Sequence, residues 1–480
     1  MVGRGRRAGP ARAGTGGRRR GARARGNHVL ILVMNLPVPL DRRVWLECCA
    51  LRAAGYEVSV ICPKGPGDPA HHVIDGVHLH KYAPARARPG VLGYAWEFAY
   101  GWVRTALLSV QVWRRRPFHV LQSCNPPDTM WLLGRLWRTR GVLFVFDHHD
   151  LNPELFLSRF GPPRGTLQRL LYRGLLFLES QMFRTAVRVI STNDSYRRIA
   201  IERAGLDPAD VTVVRSAPDT TQMRPVYPDA APAGPRTYTL AYVGIMGPQD
   251  GVDTILEAMD ELVHRRGRTD VRATLMGFGD CLDDLRRQCT AMGLDPVVEF
   301  TGRVGKEELG ERLSAADVGL CPDLKTPLND VSTMNKTMEY MAFGLPSVAF
   351  DLVETRVTGG DAILYVPTGD VPAFADAVER LLDDPGLRVE MGRRARNRVA
   401  SELDWEPQAR AYVSVFDSLL GLPPRAGSGD RGTVPDTVVV GGRERRYVDL
   451  RDEDEWTRFI RDRRPVDPRT EDPRTAARSR

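Results

Sequence analysis

The strongest constraint on this chain is an alternation that runs, stops and starts again. From His28 onward, short apolar runs of strand composition (HVLILVM, EVSVIC, HVLQS, VLFVFD, VRVIST) are separated by segments long enough for a helix, the first over about Asp41 to Ala54. Continuous apolar runs read as strands buried on both faces, and helical connections between them require a parallel sheet with right-handed crossovers. Between Ser216 and Arg236 the pattern lapses into five prolines and the segment PDAAPAGP, which has linker composition. It then resumes with TLAYVG, VRATLMG, VVEFTG, DVGLCP and LPSVAF. At 480 residues the chain is also too long for a single core. The sequence therefore predicts an α/β protein with two doubly wound domains, residues 28–224 and 225–422. An Arg/Gly-rich arm (1–27) and a polar tail (423–480) flank them, both expected to be mostly disordered apart from a strand at TVVVGG and an amphipathic segment near Glu455 to Ile460. Ligands of such sheets sit beyond the strand C-termini, so two facing domains place one substrate on each side of a cleft.

The formal charge of +8 is unevenly divided. Residues 1–26 hold nine arginines and no acid, residues 27–225 carry 25 basic and 16 acidic side chains, and residues 226–422 carry 20 and 32. A basic first half suits an anionic membrane or a phosphorylated acceptor, and equally a solvated face. Seven cysteines, an odd number without a CxxC pair, support neither a disulfide framework nor a zinc site, and a reducing cytosol is expected. No run approaches the ~20 apolar residues of a spanning helix, so any membrane contact is expected to be peripheral, at the inner face of the cell membrane. Two segments of the first half, VLGYAWEFAYGWVRTALLSVQVWRRR and TLQRLLYRGLLFLESQMFRTA, are apolar with basic edges. They suit either an interfacial helix or one packed on the sheet. Nucleic acid is not an expected partner, since only the Arg/Gly arm hints at it.

The chemistry concentrates in the run NKTMEYMAFGLPSVA, which begins at Asn335. Ser332 or Thr333 can cap a helix whose N–H groups and dipole suit a diphosphate, and Lys336 in its first turn adds a full charge. Glu339 follows three residues later on the same face, placed to meet ribose hydroxyls. An ordinary helix with a surface Lys–Glu pair has the same spacing. Gly344 and Pro346 end the helix.

Together with PLDRRVWLECCALRAAGYEVSVICP, FDHHDLNPELF, YVGIMGPQDGVDTILEA, MGFGD and FTGRV, in that order, this run resembles the family 4 retaining glycosyltransferases over roughly residues 28–421. It looks closest to the bacterial polysaccharide and O-antigen branch. The resemblance implies the GT-B fold of two facing Rossmann-like domains, an acceptor domain followed by a nucleotide-sugar donor domain. Gly244 and Gly247 would bring bare backbone to a phosphate or donor sugar, and Gly277 and Gly279 to the base or diphosphate; tight structural turns are the alternative. The sequence departs from many relatives in lacking their Arg and Lys after Gly244, where Ile245 or Met246 and Asp250 stand. Lys336, with Arg303 from FTGRV, would then carry more of the diphosphate binding. Glu339 matches the second glutamate of the family's E-x7-E motif, but position 331 is valine, and Asp330 beside it is the candidate for the donor-sugar hydroxyls.

On the first-domain side, His148 and His149 lie between Asp147 and Asp150 just past a strand. Two carboxylates there are placed to orient the rings. By resemblance His149 contacts the donor sugar and stabilises an oxocarbenium-like state, with His148 the alternate and Asp150 their partner. Glu154 would meet the acceptor or cap a helix. Asp41, Arg42 and Arg43 open the first helix after NLPVP, on the side that faces the acceptor; alternatively the two arginines form a helix-start salt bridge with Asp41 or Glu47. No convincing DxD cluster appears at a strand end, so neither metal nor a further cofactor is expected. The partners are a nucleotide-diphosphate sugar and a glycan or lipid-linked acceptor. The rival readings are a non-hydrolysing nucleotide-sugar epimerase and a catalytically idle GT-B binding or scaffold subunit.

Overall fold

The computed structural model describes residues 26–85, 91–228, 236–423 and 436–463; the arm expected over 1–27 falls almost entirely outside them. The first sheet contains β1 (His28–Leu32), β2 (Glu57–Pro63), β3 (His71–Ile74), β4 (Val77–Tyr82), β5 (Val120–Cys124), β6 (Leu143–His148), β7 (Arg188–Ser191) and β8 (Val211–Val213). Their order is β3-β4-β2-β1-β5-β6-β7-β8, parallel except for the β3–β4 hairpin. Among them run α1 (Arg42–Ala53), α2 (Val91–Arg115), α3 (Trp131–Arg138), α4 (Asn152–Phe160), α5 (Gly165–Thr185) and α6 (Asp194–Ala204). The second sheet, β11-β10-β9-β12-β13-β14, is wholly parallel, built from β9 (Tyr238–Ile245), β10 (Val271–Phe278), β11 (Val298–Gly302), β12 (Val318–Cys321), β13 (Ser347–Phe350) and β14 (Ile363–Val366). Its helices are α7 (Val252–Asp260), α8 (Leu282–Ala291), α9 (Lys306–Ala315), α10 (Asn335–Ala342), α11 (Val353–Gly359), α12 (Val371–Asp383) and α13 (Pro385–Glu402).

Both sheets are covered on two faces, as their apolar strands require. In the first, α1 packs on one face while Val112 of α2, Leu133 and Trp137 of α3 and Phe183 of α5 fill the other. The second domain, expected to run to residue 422, is left near Asp404. Helix α14 (Trp405–Leu420) leaves the second domain and lays Trp405, Tyr412, Val415 and Phe416 into the core beside α1. The chain therefore passes between domains twice, and the two passages touch: Trp405 N donates to Pro218 O at 3.0 Å, and Asp404 accepts from Thr220 N at 3.1 Å.

The described part of the tail, residues 436–463, carries more structure than expected. A hairpin, β15 (Thr437–Val440) and β16 (Arg443–Arg446), precedes α15 (Glu453–Asp462), whose Trp456, Phe459 and Ile460 are buried on the second domain. Gly344, at φ +56°, makes room for this: a Cβ there would lie 2.4 Å from the Trp456 ring. Arg463 donates to the carbonyls of Phe343 and Gly344, just past the end of α10. Satisfying orphan helix carbonyls with a cation fixes the far end of the helix whose near end opens on the cleft.

Candidate functional site

The C-terminal ends of the two sheets border one cavity of about 2500 Å³. Helix α10 opens on it, with Thr333, Asn335, Lys336 and Glu339 among the lining residues. No side chain caps α10. Of the two expected caps, Ser332 donates to Leu328 O at 2.8 Å and Thr333 accepts from Asn193, the N-cap of α6, at 3.0 Å. The first turn thus presents its N–H ends and positive dipole toward the cavity without a competing side chain.

Lys336 and Glu339 share one face, as their spacing requires. Lys336 Nζ lies 2.6 Å from Asp323 Oδ1 and 4.9 Å from the Tyr242 ring centroid. Burial works against its ammonium, but Asp323, Tyr242 and Asp250 outweigh burial and hold the pKa above the ordinary lysine value. The stem passes close to Gly244, where an added Cβ would come within 3.1 Å of Lys336 Cε. At Gly277 an added Cβ would fall 1.9 Å from the Gly244 carbonyl oxygen, so β9 and β10 can end side by side only as bare backbone. Gly244, Gly277 and Arg303 line the cavity, the last with its guanidinium 5.3 Å from the Phe278 ring centroid. Gly247 and Gly279 are set back. Gly247 N donates to Asp250 Oδ2 at 2.9 Å, and Gly279 is crowded by the Met246 backbone. Asp250 itself lines the cavity, and burial, opposed by Lys336, raises its carboxyl to about 6.

Asp330 does not reach the cavity in the way the one-residue shift from position 331 anticipated. Its Oδ1 accepts from Val353 N at 2.9 Å, at the start of α11, and lies 3.5 Å from Lys325 Nζ. The neighbouring Val331 carbonyl accepts from Asn193 Nδ2 at 2.9 Å, so this loop serves as a seam between the domains.

Across the cleft, Asp41 caps α1 by accepting from Val44 N at 3.1 Å. The next two arginines diverge because successive helical residues point about 100° apart. Arg42 lines the cavity and donates to Glu339 Oε1 of the opposite domain at 2.7 Å, with Arg42 60% and Glu339 9% exposed. Arg43 turns into the core, donating to Asp147 Oδ1 at 3.0 Å and to Val214 O at 2.7 Å. It also forms the anticipated pair with Glu47, at 3.0 Å, and is thereby withdrawn from the acceptor side. Gln122 Nε2 donates to both Glu47 and Asp147 at 2.9 Å, and Tyr412 of α14 donates to Gln122 Oε1 at 2.6 Å. Burial, with Asp147 adjacent, pushes the Glu47 carboxyl well up. Asp147 is equally buried, yet His149 and Arg43 hold its carboxyl below the usual range.

His149 joins this network, its Nε2 2.7 Å from Asp147 Oδ2 and 2.8 Å from Arg43 Nε. One ring nitrogen donates to the first or accepts from the second according to tautomer, and either contact fixes the ring. Glu47, Cys124, Asp147 and His149 bring four ligand-type atoms within 4.8 Å of one another, but the Arg43 guanidinium already supplies the cation there. Asp150 lines the cavity, with its carboxyl raised by burial. His148 proves to be a core residue. It is fully buried among Phe146, Phe183 and Tyr196, and burial followed by the nearby Arg203 lowers its pKa to about 3, leaving a neutral ring. Glu154 is likewise structural, paired with Arg203, which also donates to Glu179 at 2.7 Å. Sequence reasoning passed over Asp323, Gln122 and Tyr412. Asp323 carried a usable signal, a carboxylate just past a strand end, whereas Tyr412 joins the site only through the return of α14.

Residues 40–217 match the Glycosyl transferase 4-like domain, and residues 237–384 match Glycosyl transferases group 1. The chain is 28% identical over 401 residues to glycogen synthase of Mycobacterium tuberculosis, spanning 78% of this chain and 90% of that one. It is 29% identical over 269 residues to a D-inositol 3-phosphate glycosyltransferase of Kineococcus radiotolerans, covering 51% of this chain and 60% of the other. Among solved structures, sucrose-phosphate synthase from Thermosynechococcus elongatus superposes with a TM-score of 0.66 at 19% identity, covering 82% of this chain and 99% of that one. WaaG, a glycosyltransferase involved in lipopolysaccharide biosynthesis, superposes with a TM-score of 0.58 at 16% identity over 82% of this chain and all of its own. At those identities the solved structures speak for the fold, and the two domain matches, one on each sheet, speak for the chemistry it carries. The chain belongs to the GT-B glycosyltransferases.

Proposed function

We propose that the protein is a retaining family 4 transferase of bacterial polysaccharide or glycoconjugate synthesis. It moves a sugar from a nucleotide-diphosphate donor to a hydroxyl of a glycan or lipid-linked acceptor at the cytoplasmic side of the membrane. The observation that carries this reading is the uncapped start of α10, with Lys336 and Glu339 on one face, opening on the same cavity as Arg42 and Asp150 of the facing domain. Solved relatives of the fold include Anabaena HepE in complex with UDP-glucose, which supports a donor of this class.

In this reading Glu339 accepts from the ribose hydroxyls. The α10 N–H groups, Lys336 and Arg303 meet the diphosphate as it leaves, which places fixed positive charge where negative charge develops. Bare backbone at Gly244 and Gly277 lets the donor lie close to the sheet. His149, oriented by Asp147, is assigned contact with the donor sugar, and Asp150, which lines the cavity, is assigned to the same catalytic group. Leaving-group stabilisation is thus assigned to protein groups alone, without metal or a further cofactor. The test is nucleotide release from a panel of UDP-, GDP- and dTDP-sugars, with and without polyprenyl-phosphate-linked acceptors, for the wild type, Glu339→Ala and His149→Ala. Acceptor-dependent release lost in both variants supports the reading. Acceptor-independent sugar interconversion would instead indicate an epimerase, and donor binding without turnover an idle subunit.

A further inference from the structure

We infer that the outer face of the α2–α3–α5 layer is a docking surface for an anionic lipid bilayer. The two segments that suit either an interfacial or a sheet-packed helix do both: their inner faces fill the core with Val112, Met182 and Phe183, and their outer faces remain apolar. On α2 the exposed residues Trp96, Val103, Leu107 and Val110 recur at helical spacing as one stripe. On α3, Leu132 and Leu136 continue it one turn apart, the latter 57% exposed. On α5, Leu167, Leu170 and Phe177 form a third stripe, with Leu167 69% exposed. The three helices are neighbours. Trp137 Nε1 of α3 donates to Ser109 of α2 at 3.1 Å, and Arg135 of α3 donates to Gln181 of α5 at 2.7 Å. Of the twenty exposed large apolar residues among the described ones, eleven lie on these three neighbouring helices, and such a concentration marks an interaction surface.

Charge chooses the partner. The three helices carry eight arginines against two acids, Glu97 and Glu179, and Glu179 is buried and held by Arg203. A second copy of the chain would set arginines against arginines, and a nucleic acid would leave the leucines and Trp96 without a partner. Apolar stripes edged by arginine instead match the acyl boundary and phosphate layer of an anionic membrane surface. No described helix is long and apolar enough to cross a membrane, so the contact lies in the interface plane. Helix α3 begins at the cleft end of β5, and α5 follows α4 from the cleft end of β6. The patch therefore extends toward the rim of the cavity, where an acceptor presented from a bilayer would enter.

The test is co-sedimentation of the full chain with vesicles of phosphatidylcholine alone or mixed with phosphatidylglycerol, in the absence of any nucleotide sugar, so that it stands apart from the transferase reading. Binding to the anionic vesicles at least about tenfold tighter than to the neutral ones is expected. The Leu107→Glu/Leu170→Glu double variant, folded by circular dichroism, should lose about tenfold in binding, and Arg169→Glu/Arg173→Glu should lose the preference for anionic lipid while keeping its Tm. The inference is overturned if the wild type ignores anionic vesicles, if both double variants bind as the wild type does, or if the leucine variant converts a dimer to a monomer, which would identify a second copy as the occupant.

Discussion

The two strand-end regions that face each other use charge in opposite ways. At the first sheet's edge, Arg43, Glu47, Asp147 and Gln122 pair with one another out of water, and Tyr412 donates to Gln122. At the second sheet's edge, Lys336 and Glu339 are equally shielded by protein but line a cavity, beside a helix start that no side chain closes. The first arrangement spends its ionic groups on holding His149 and the end of β6 in place. The second pairs Lys336 with Asp323 and Glu339 with Arg42 on the wall of the cavity, where a ligand can reach them. Neighbouring charged residues therefore have different tasks according to whether the protein or a ligand completes them.

The comparison breaks most clearly through Arg43→Ala, which strands Asp147 without its cation. A loss of about 3–5 kcal/mol in stability is expected by urea unfolding, as for other broken buried pairs; a loss no greater than that of Arg42→Ala would dissolve the distinction. Glu339→Gln should do the reverse, lowering kcat/KM by about 30- to 100-fold, the value of a lost charged hydrogen bond, while leaving unfolding unchanged. Asp250 sharpens the contrast further. Its carboxyl, raised to about 6, is ionised above that pH and repels a diphosphate, and it is neutral below. Nucleotide affinity should therefore rise about fivefold as pH falls through 6, by a Coulomb term of about 1 kcal/mol, and Asp250→Asn should remove that rise. The smallest effect belongs to Arg42→Ala. Its side chain is 60% exposed and already largely hydrated, so stability should change by less than about 1 kcal/mol and donor KM by only a few-fold. A collapse of activity in that variant would move Arg42 from a cleft-spanning contact to direct substrate binding.

Much of this architecture is legible in the chain itself. The apolar runs give most of both sheets, and Asp41 marks the start of α1 because a carboxylate there can accept from the free N–H of Val44. The β3–β4 hairpin was overlooked despite its Asp75–Gly76 turn, where both residues adopt positive φ. Other features have no local signature. Arg42 and Arg43 differ in fate only by their rotation about α1, and adjacent residues in sequence cannot show which one meets the other domain. His148 and His149 pose the same problem at the end of β6, where the last strand residue turns into the core and the next leaves the strand. Helix α14 is apolar enough to belong to either domain, and only the packing of Tyr412 and Phe416 beside α1 reveals which. The tail showed its strand and its amphipathic segment, but not the landing place for Trp456 that Gly344 provides.

The double passage of the chain between domains has a mechanical consequence. Two crossings bound side by side through Trp405, Pro218, Thr220 and Asp404 act as the sewn spine of a book. Sliding or twisting of one half past the other would tear those bonds, whereas opening and shutting turns about the spine and leaves them intact. The covers part at the seam where Asn193 and Tyr196 touch Val331 and Ser332, a few polar contacts that exchange readily for water. Were the halves to turn about that spine, each residue along the two facing edges would move in proportion to its distance from it, the Arg42–Glu339 contact among them.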